Sequence, residues 1–426
     1  MRNAYRLTEP AAAAEARAAN GRHANRFLFY SHDGLGLGHL RRNLSVATAL
    51  AELDPDASIL LATSAEEAQR FPIPSSVDIL KLPGLRKVDN GHYAARRLNI
   101  GWPDIRAMRA GVLLAAVDSF QPSVLLADRH ALGVGRELEP SLQEVRASGG
   151  RAVLGLRDVL DEPAVARAEL RHRGLFDRIA EYYDRVLVYG QPEILDARRV
   201  YGFPEEIAKM TRFCGYVVAA EVSRRCSESG NGNGTTAHDS PKVLATAGGG
   251  EDGLALLAAF VEAAERSRWE ADVVSGPQCR PEDAGRLDAL ASRAGVAFRR
   301  FVPDLSSEFA SLDALVCMGG YNTLAEAAAC GVSTICVPRV EPRTEQLIRA
   351  RAFAERGLVT VVEPRRLDSA VLGAEVESAL AGDVPGAPPT QRLELDGAQR
   401  AARLLLELAS ETSPRRSRGP RRERSR

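Results

Sequence analysis

The chain has 426 residues, of which 45% are apolar and 26% are charged, and its 56 Lys and Arg residues balance 56 Asp and Glu residues. This length predicts two or three domains of ordinary size, at roughly 100–200 residues each. The zero net charge disfavours a protein that holds nucleic acid through its overall field, and no apolar run reaches the ~18–20 residues of a membrane-spanning helix.

The sequence divides into two blocks, with polar segments between and around them. Residues 1–25 have no apolar segment, so we expect a disordered N-terminus and no signal peptide. The first expected domain covers residues 26–218, and residues 219–240, rich in Ser, Gly and Asn, predict a flexible linker. The second expected domain covers residues 241–412. The Arg-rich residues 413–426 predict a disordered basic tail; the alternative is an arm that binds anionic lipid or nucleic acid electrostatically.

Both blocks alternate short apolar runs with longer helical stretches, the pattern of a parallel sheet covered by helices. The runs are rich in Val, Ile and Leu without polar alternation, as expected for strands buried on both faces. The expected strands are 27–31, 58–63, 78–82, 124–128, 152–156, 185–189, 243–247, 271–275, 297–301, 314–317, 334–337 and 359–362. The fold class is therefore α/β, with two doubly wound, Rossmann-like domains that face each other across a cleft. Ligands should bind beyond the carboxyl ends of the strands.

A glycine-rich turn that ends in His39 follows the first expected strand. Gly34, Gly36 and Gly38 allow the backbone to turn tightly and to approach a ligand closely. The turn is not a dinucleotide fingerprint, because His39 follows the third glycine directly and no acidic residue closes the next strand. At a helix N-terminus the cationic form of His39 is disfavoured, so a neutral imidazole could accept a proton. The alternative is a His that only caps the turn.

Charged residues end two further strands of the first block. Asp128 ends one strand, and Arg157 and Asp158 end the next, so all three should lie near the cleft. Asp128 could cap a helix, while the other two could form surface ion pairs. An acceptor-binding role remains open for all three.

The second block begins with a similar turn, in which Gly248, Gly249 and Gly250 follow the strand 243–247. Exposed backbone N–H groups with the N-terminus of a helix behind them would form a seat for phosphate. No Gly-Lys-Ser/Thr follows, which disfavours ATP hydrolysis of the Walker type.

The most informative segment, residues 314–339, reads ALVCMGGYNTLAEAAACGVSTICVPR. A strand ends at a glycine pair, and a helix follows that Asn322 or Thr323 should cap, with Glu326 in its first turn. The spacing of Thr323 and Glu326 fits a capping box, in which the carboxylate only bonds to the backbone. The functional alternative is that Glu326 projects into the cleft and binds two vicinal hydroxyl groups.

This segment, together with EQLIRARAFAERG downstream, resembles the C-terminal domain of family 28 glycosyltransferases. Those enzymes have the two-domain GT-B fold and include the N-acetylglucosaminyltransferases that form lipid II. GLGLGHLRR and the later GGG resemble the family's two glycine turns, and the resemblance covers about residues 26–218 and 241–410. The front turn departs from the family pattern because Leu35 and Leu37 separate its glycines. Residues 36–42 also resemble nucleotide-sugar hydrolases of the same fold.

The resemblance implies roles for individual residues. Glu326 would bind the ribose hydroxyls of the donor, Gln346 its sugar or nucleotide, and His39 would act on the acceptor as a base or as a hydroxyl-positioning residue. The donor diphosphate would lie on the glycine turns, formed by Gly248, Gly249, Gly250, Gly319, Gly320, Asn322 and Thr323. Candidates for acceptor or phosphate binding are Gly36, Gly38, Arg41, Asp128, Arg339 and Arg343.

The expected reaction is transfer of a hexosyl or N-acetylhexosaminyl group from a UDP-linked donor to a hydroxyl acceptor, with inversion implied by the resemblance. Lipid-linked molecules are among the candidate acceptors. No Asp-x-Asp-like motif lies in a suitable turn, so we expect neither a metal nor another cofactor. The alternatives are a nucleotide-sugar hydrolase or epimerase, or a non-catalytic nucleotide-sugar-binding protein. We expect a cytoplasmic protein, in peripheral contact with the inner face of the membrane and without a specific nucleic-acid partner.

The six cysteines are too few for a disulfide scaffold in a chain of this length. None forms a Cys-x-x-Cys pair, and no His lies beside them at metal-ligand spacing. We therefore expect reduced thiols and no structural zinc site.

Overall fold

The computed structural model describes residues 25–31, 38–89, 92–230, 240–382 and 393–411. The expected disordered N-terminus up to residue 24 and the basic tail lie outside the described residues, as does Gly36 of the first glycine turn.

The first domain is built on a parallel sheet whose strands are almost entirely buried. Its described strands are β1 (Arg26–Ser31), β2 (Ser58–Thr63), β3 (Val77–Lys81), β4 (Leu85–Asp89), β5 (His92–Ala95), β6 (Val124–Asp128), β7 (Arg151–Arg157), β8 (Arg185–Tyr189) and β9 (Thr211–Phe213). The sheet order is β3-β2-β1-β6-β7-β8-β9, and β4 and β5 form a separate antiparallel hairpin. The sequence did not predict the hairpin or β9.

Helices of the first domain connect these strands in chain order. They are α1 (Gly38–Leu53), α2 (Trp102–Phe120), α3 (Glu139–Ala147), α4 (Pro163–Arg171), α5 (Leu175–Tyr182), α6 (Ala197–Val200) and α7 (Glu205–Met210), with short 3₁₀ helices at Glu66–Arg70, Val134–Arg136 and His172–Gly174. Local chemistry explains some boundaries: Glu162 caps α4 by accepting the Val165 N–H at 3.0 Å, and Pro163 occupies the first turn, where a missing N–H costs nothing.

The second domain repeats the architecture. Its strands are β10 (Lys242–Thr246), β11 (Glu270–Val274), β12 (Ala297–Arg299), β13 (Ala314–Cys317), β14 (Ser333–Cys336) and β15 (Thr360–Val361), in the parallel order β12-β11-β10-β13-β14-β15. The remaining helices are α8 (Ala220–Gly230), α9 (Leu254–Ala264), α10 (Pro281–Ala294), α11 (Tyr321–Cys330), α12 (Glu345–Ala354), α13 (Ser369–Leu380) and α14 (Gly397–Ser410), with 3₁₀ helices at Leu305–Ser311 and Pro364–Arg366. The predicted fold class of two doubly wound α/β domains is confirmed.

Each sheet has one point where the strand order reverses, and a crevice opens there at the carboxyl ends of the strands. In the first sheet it lies between β1 and β6, where Ser31 and Asp128 are register partners. In the second it lies between β10 and β13, where Thr246 pairs with Cys317. The residues predicted from the sequence border these crevices. His39 and Asp128 lie at the first crevice, and the glycine turns after β10 and β13 lie at the second.

Two expected boundaries were wrong. Residues 220–230 of the expected linker form α8, because Val222 and Cys226 are buried against the core and give the segment an apolar side to pack; residues 231–239 lie outside the described residues. The last helix, α14, was expected in the second domain. It instead packs against α1 of the first, where Ala401 and Leu405 join the cluster that contains Leu44. The chain therefore crosses back to the first domain, which ties the two halves together.

The expectation of six reduced thiols was also wrong. Cys226 of α8 and Cys330 at the end of α11 form a disulfide, because the packing of α8 against α11 brings together two residues that lie 104 positions apart. The other four cysteines are buried and free: Cys214, Cys279, Cys317 and Cys336. Among the described residues, we find no helix whose length and apolar character would let it cross a membrane.

Candidate active site

A buried cluster of His39, Arg42 and Asp128, which we call the His39 cluster, lies at the crevice of the first sheet. His39 and Arg42 are one turn apart on α1, and Asp128 ends β6. The Nδ1 atom of His39 lies 3.0 Å from Asp128 Oδ2, and Arg42 Nη2 donates to both oxygens of Asp128 at 2.7 and 2.6 Å. The alternative in which Asp128 only caps a helix is therefore wrong, since its carboxylate is held by these two side chains.

The charges of the His39 cluster favour a neutral imidazole beside an ionised carboxylate. Burial lowers the pKa of His39, although Asp128 acts in the opposite direction. The pKa of Asp128 lies well below its usual range despite burial, because Arg42 and His39 stabilise the anion. His39 Nδ1 lies 3.0 Å from both Asp128 Oδ2 and Arg42 Nη2. The two N–H groups of Arg42 Nη2 are directed to the two oxygens of Asp128, and a carboxylate can only accept hydrogen bonds, so we assign the N–H of neutral His39 to Nδ1. Nε2 then carries the lone pair, as a general base requires.

Glu326 lies across the cleft from the His39 cluster, in contact with the first domain. Arg41 Nη2 donates to Glu326 Oε1 at 2.5 Å and lies 3.4 Å from Ser306 Oγ. Glu326 is buried, and that burial raises its pKa although Arg41 opposes the shift. The carboxylate thus faces the gap between the domains.

The capping-box interpretation of Glu326 is wrong. The helix α11 begins at Tyr321, after an N-cap Gly320 that has no side chain to offer. Asn322 and Thr323 consequently lie within the first turn instead of capping it, and Glu326 falls in the second turn, too far along to bond back to the N-cap.

The N-terminus of α11 faces the N-terminus of α1. Asn322 Nδ2 donates to the carbonyl oxygen of Gly38 at 3.4 Å, although Gly38 and Asn322 belong to different domains. Each helix N-terminus carries a partial positive charge and N–H groups without a partner inside the helix. The two ends therefore bring a positive field to the same part of the cleft.

The glycine turns of the second domain have backbone conformations that suit glycine. Gly248 and Gly250 have φ values of 64° and 93°, and a Cβ atom on Gly250 would lie 2.4 Å from the carbonyl oxygen of Ser275. A Cβ atom on Gly249 would meet Gln278 Oε1 at 3.2 Å, whereas one on Gly248 would meet nothing within 4 Å. The space beside Gly248 is therefore open.

The triglycine turn does not lead directly into a helix as expected, because α9 begins only at Leu254. The intervening residues include Asp252, which forms an ion pair with Arg339 at 3.0 Å. At the second turn, Gly319 has a φ of 80° and its carbonyl oxygen accepts from Arg349 Nη1 at 3.1 Å.

Other predicted residues hold the cleft together. Gln346 Oε1 accepts the backbone N–H of Arg339 at 3.0 Å, and Arg339 also bonds to Glu345 at 2.8 Å. Arg343 reaches the first domain, where its Nη1 atom lies 3.2 Å from Asp161. These three side chains fix the loop that precedes α12 against both domains.

The sequence did not identify two arginines of the site, Arg42 and Arg349, and it left the role of Asp158 open. Arg349 Nε and Nη2 each lie 2.8 Å from a carboxylate oxygen of Asp158, and the two side chains are 1% and 2% exposed. Asp158 therefore forms a buried pair between the domains, which rules out the alternative of a surface ion pair for this residue. The periodicity of helices offered a signal in both cases: Arg42 lies three residues after His39, and Arg349 three after Gln346.

In the described part of the chain, His, Cys, Asp and Glu side chains form no group of three that could hold a metal ion.

Comparison with known proteins finds relatives among N-acetylglucosamine transferases. No protein-family model matches the chain. A UDP-N-acetylglucosamine--N-acetylmuramyl-(pentapeptide) pyrophosphoryl-undecaprenol N-acetylglucosamine transferase of Anaeromyxobacter sp. is 34% identical over 83 residues, which are 19% of this chain and 22% of that protein. The same-named enzyme of Xanthomonas euvesicatoria is 25% identical over 391 residues, 87% of this chain and 79% of the relative. The chain thus spans about a fifth of the first relative and most of the second.

Solved structures give the fold. The crystal structure of Acinetobacter baumannii MurG is 14% identical, covers 90% of this chain and 100% of that chain, and superimposes with a TM-score of 0.56. The predicted GT-B fold and the predicted resemblance to the lipid II-forming group are both confirmed.

Proposed function

We propose that the chain is a glycosyltransferase that moves a hexosyl or N-acetylhexosaminyl group from a UDP-linked donor to a hydroxyl acceptor, with inversion. The observation that carries the proposal is the cleft itself. His39, paired with Asp128, lies on one side of it, and Glu326 and the N-terminus of α11 lie on the other; this arrangement supports the proposal. The similarity to UDP-N-acetylglucosamine-dependent transferases, as the relatives are named, supports a UDP-linked N-acetylglucosamine donor.

His39 is the proposed base. Its Nε2 atom takes the proton of the acceptor hydroxyl while the acceptor oxygen forms a bond to the anomeric carbon. The bond from that carbon to the diphosphate oxygen breaks, and its electron pair leaves with the nucleoside diphosphate. Asp128 orients the imidazole and stabilises the imidazolium that forms. A positioned base of this kind contributes about 10²–10⁴-fold to the rate.

The departing diphosphate carries the negative charge that develops in the transition state. Backbone N–H groups at the N-terminus of α11 and in the turns at Gly248–Gly250 and Gly319–Gly320 are the proposed donors, with Arg339 and Arg343 nearby. In the first turn the N–H of Gly249 is the main candidate, because Gly248 and Gly250 already donate to Thr246 and Ala247. Such preorganised dipoles require no metal ion, so we propose a reaction that continues in the presence of EDTA.

Glu326 is the proposed ligand of the donor ribose. A carboxylate accepts two hydrogen bonds from vicinal hydroxyl groups, and Glu326 is already buried and directed into the cleft. Its present partner, Arg41, must then leave and can turn toward the diphosphate. Gln346 remains a proposed donor-sugar or nucleotide contact, because α12 holds it at the edge of the same cleft.

A lipid-linked acceptor and peripheral contact with the inner face of the membrane complete the proposal for a cytoplasmic protein. A cavity of about 590 Å³ beside β3 and the β4–β5 hairpin has apolar lining residues that include Ile79, Leu82 and Leu98, and charged ones that include Lys81 and Arg96. Exposed Ile100 and Met108 lie close by in the sequence. Apolar surface of this kind suits an acyl or isoprenoid chain.

The test incubates the full chain with a panel of nucleoside diphosphate sugars, with and without hydroxyl acceptors, in EDTA. We expect binding and turnover of a UDP-sugar. Glu326→Gln should weaken UDP binding about tenfold or more, whereas the matched exposed Glu262→Gln should not. His39→Ala should lower turnover about 10²–10⁴-fold without weakening UDP binding, whereas exposed His172→Ala should change neither. Release of free sugar at the same rate without any acceptor would instead indicate a hydrolase, and full activity of His39→Ala would remove the assigned base.

A further inference from the structure

Two arginines at the cleft, Arg129 and Arg157, have no carboxylate partner within the described residues, unlike the arginines around them. Arg157 ends β7, and Arg129 follows β6, where its backbone N–H donates to Gly155 at 2.7 Å. Arg129 has a φ of 70°, a conformation that costs energy for a residue with a side chain. Both side chains belong to adjacent strand ends, at the edge of the sheet where ligands of this fold class bind.

The neighbouring arginines are each paired with a carboxylate. Arg42 binds Asp128, Arg343 binds Asp161, and Arg349 binds Asp158. Across the described ranges, by contrast, the side chains of Arg129 and Arg157 form no hydrogen bond or ion pair, and Arg157 Nε is buried without a partner.

The unpaired charges are costly in this position. Burial lowers the pKa of Arg157 to about 9, helped by the positive charges of Arg129, Arg349 and Arg42. Burial, with Arg343, also lowers the pKa of Arg129. Glu345 acts in the opposite direction on both, but its hydrogen bond goes to Arg339. Both arginines are half-buried at the cleft, and a charge withdrawn from water in this way is ordinarily paired or coordinates a ligand. In the part of the chain that the structure describes, the nearby Glu345 carboxylate interacts with them electrostatically but forms no hydrogen bond to either, so these two groups lack a hydrogen-bonded anion.

We propose that Arg129 and Arg157 together bind a phosphate or diphosphate group of the acceptor substrate. Each guanidinium offers a fork of N–H donors that matches two oxygens of an oxyanion, so two forks need more oxygens than one carboxylate has. The first domain carries both arginines, as it carries His39, whose pKa Arg157 lowers. The bound anion would therefore hold the acceptor next to the base. The assignment to the acceptor rests on the proposed function.

The experiment measures binding of inorganic pyrophosphate to the full chain by titration calorimetry, with UDP present at saturation so that the donor diphosphate site is filled. We expect Arg157→Met and Arg129→Met to weaken pyrophosphate binding about tenfold or more. The matched Arg178→Met, which removes the same charge from a partly exposed arginine of α5, should have no effect. The affinity for UDP should stay within about twofold in all three variants.

The free energy of unfolding provides a second readout. Arg157→Met removes a half-buried charge whose Nε atom has no hydrogen-bond partner among the described residues, so its free energy of unfolding should be unchanged or higher. The matched Arg349→Met, which breaks a buried pair, should lower it strongly.

Three results would overturn the inference. Pyrophosphate binding that survives in the double variant would remove the arginines from the site. A parallel loss of UDP affinity would assign them to the donor. A stability loss in Arg157→Met as large as that in Arg349→Met would reveal a structural carboxylate partner. Failure of the native chain to bind any UDP-sugar contradicts only the proposed function, because the arginine site can be measured with pyrophosphate alone.

Discussion

Replacing Arg349 with Met should destabilise the chain more than any exposed substitution, because it leaves Asp158 as an uncompensated buried charge. Arg349 contributes two hydrogen bonds of 2.8 Å to Asp158 and one of 3.1 Å to the carbonyl oxygen of Gly319. Both side chains are almost inaccessible to solvent. Breaking a buried pair from one side typically costs about 3–5 kcal/mol, compared with at most about 1 kcal/mol for an exposed pair.

The assay is urea unfolding followed by tryptophan fluorescence. Trp102 lies in the first domain and Trp269 in the second, so variants that retain one tryptophan each report on one domain. We expect the free energy of unfolding to fall by about 3–5 kcal/mol in Arg349→Met. A further Asp158→Asn should recover part of the loss, because the remaining buried group is then uncharged. The coupling energy of this cycle isolates the pair itself.

A change in the unfolding free energy within about ±0.5 kcal/mol, as for an ordinary surface site, would refute the reasoning. So would a double variant less stable than the sum of the single variants, since the charge of Asp158 would then not be the source of the loss.

Asp128→Asn should lower turnover about 10²–10⁴-fold while UDP affinity stays constant, measured by steady-state kinetics and calorimetry, because His39 loses the acceptor that orients it. Since burial lowers the pKa of His39, kcat/KM should stay constant from neutral pH to below pH 6.5, the ordinary value for His, and then fall as the imidazole gains a proton. In Asp128→Asn this fall should begin at still lower pH, because Asp128 raises the pKa of His39; a pH profile of kcat/KM checks both points. Tyr321→Phe should lower the free energy of unfolding in urea by about 1–3 kcal/mol, because the Tyr321 hydroxyl accepts the buried N–H of Val217 at 2.9 Å.

Much of the fold was predictable because its signals are local. Runs of Val, Ile and Leu marked the parallel strands, and glycine turns marked the crevices where strand order reverses. The hairpin of β4 and β5 was not predicted, because its segments, LRKVD and HYAA, contain few of those apolar residues. The packing of α14 on the first domain was not predicted for another reason. The sequence of an amphipathic helix shows which of its faces is buried, but it does not show which domain that face packs against.

The candidate site was predictable only in part. His39 and Glu326 stand in motifs whose spacing points to a ligand, so sequence alone could name them. Their partners depend on long-range contacts: Asp128 lies 89 residues from His39, and Arg41 lies 285 residues from Glu326. The capping box failed because it rested on a helix start that the glycine pair moved toward Tyr321.

The division of labour between the domains follows from the two strand reversals. A doubly wound sheet offers one crevice, and a single crevice would have to hold the base, the acceptor and the nucleotide together. Here the first crevice holds the His39 cluster, and the second holds the glycine turns and Glu326, so each set is fixed by its own sheet. The His39 cluster and the donor-side residues must therefore be kept in a fixed relative position across the gap between the domains. Arg349 on Asp158 and Arg343 on Asp161 fix that relative position, because each arginine of the second domain pairs with a carboxylate that follows β7 of the first.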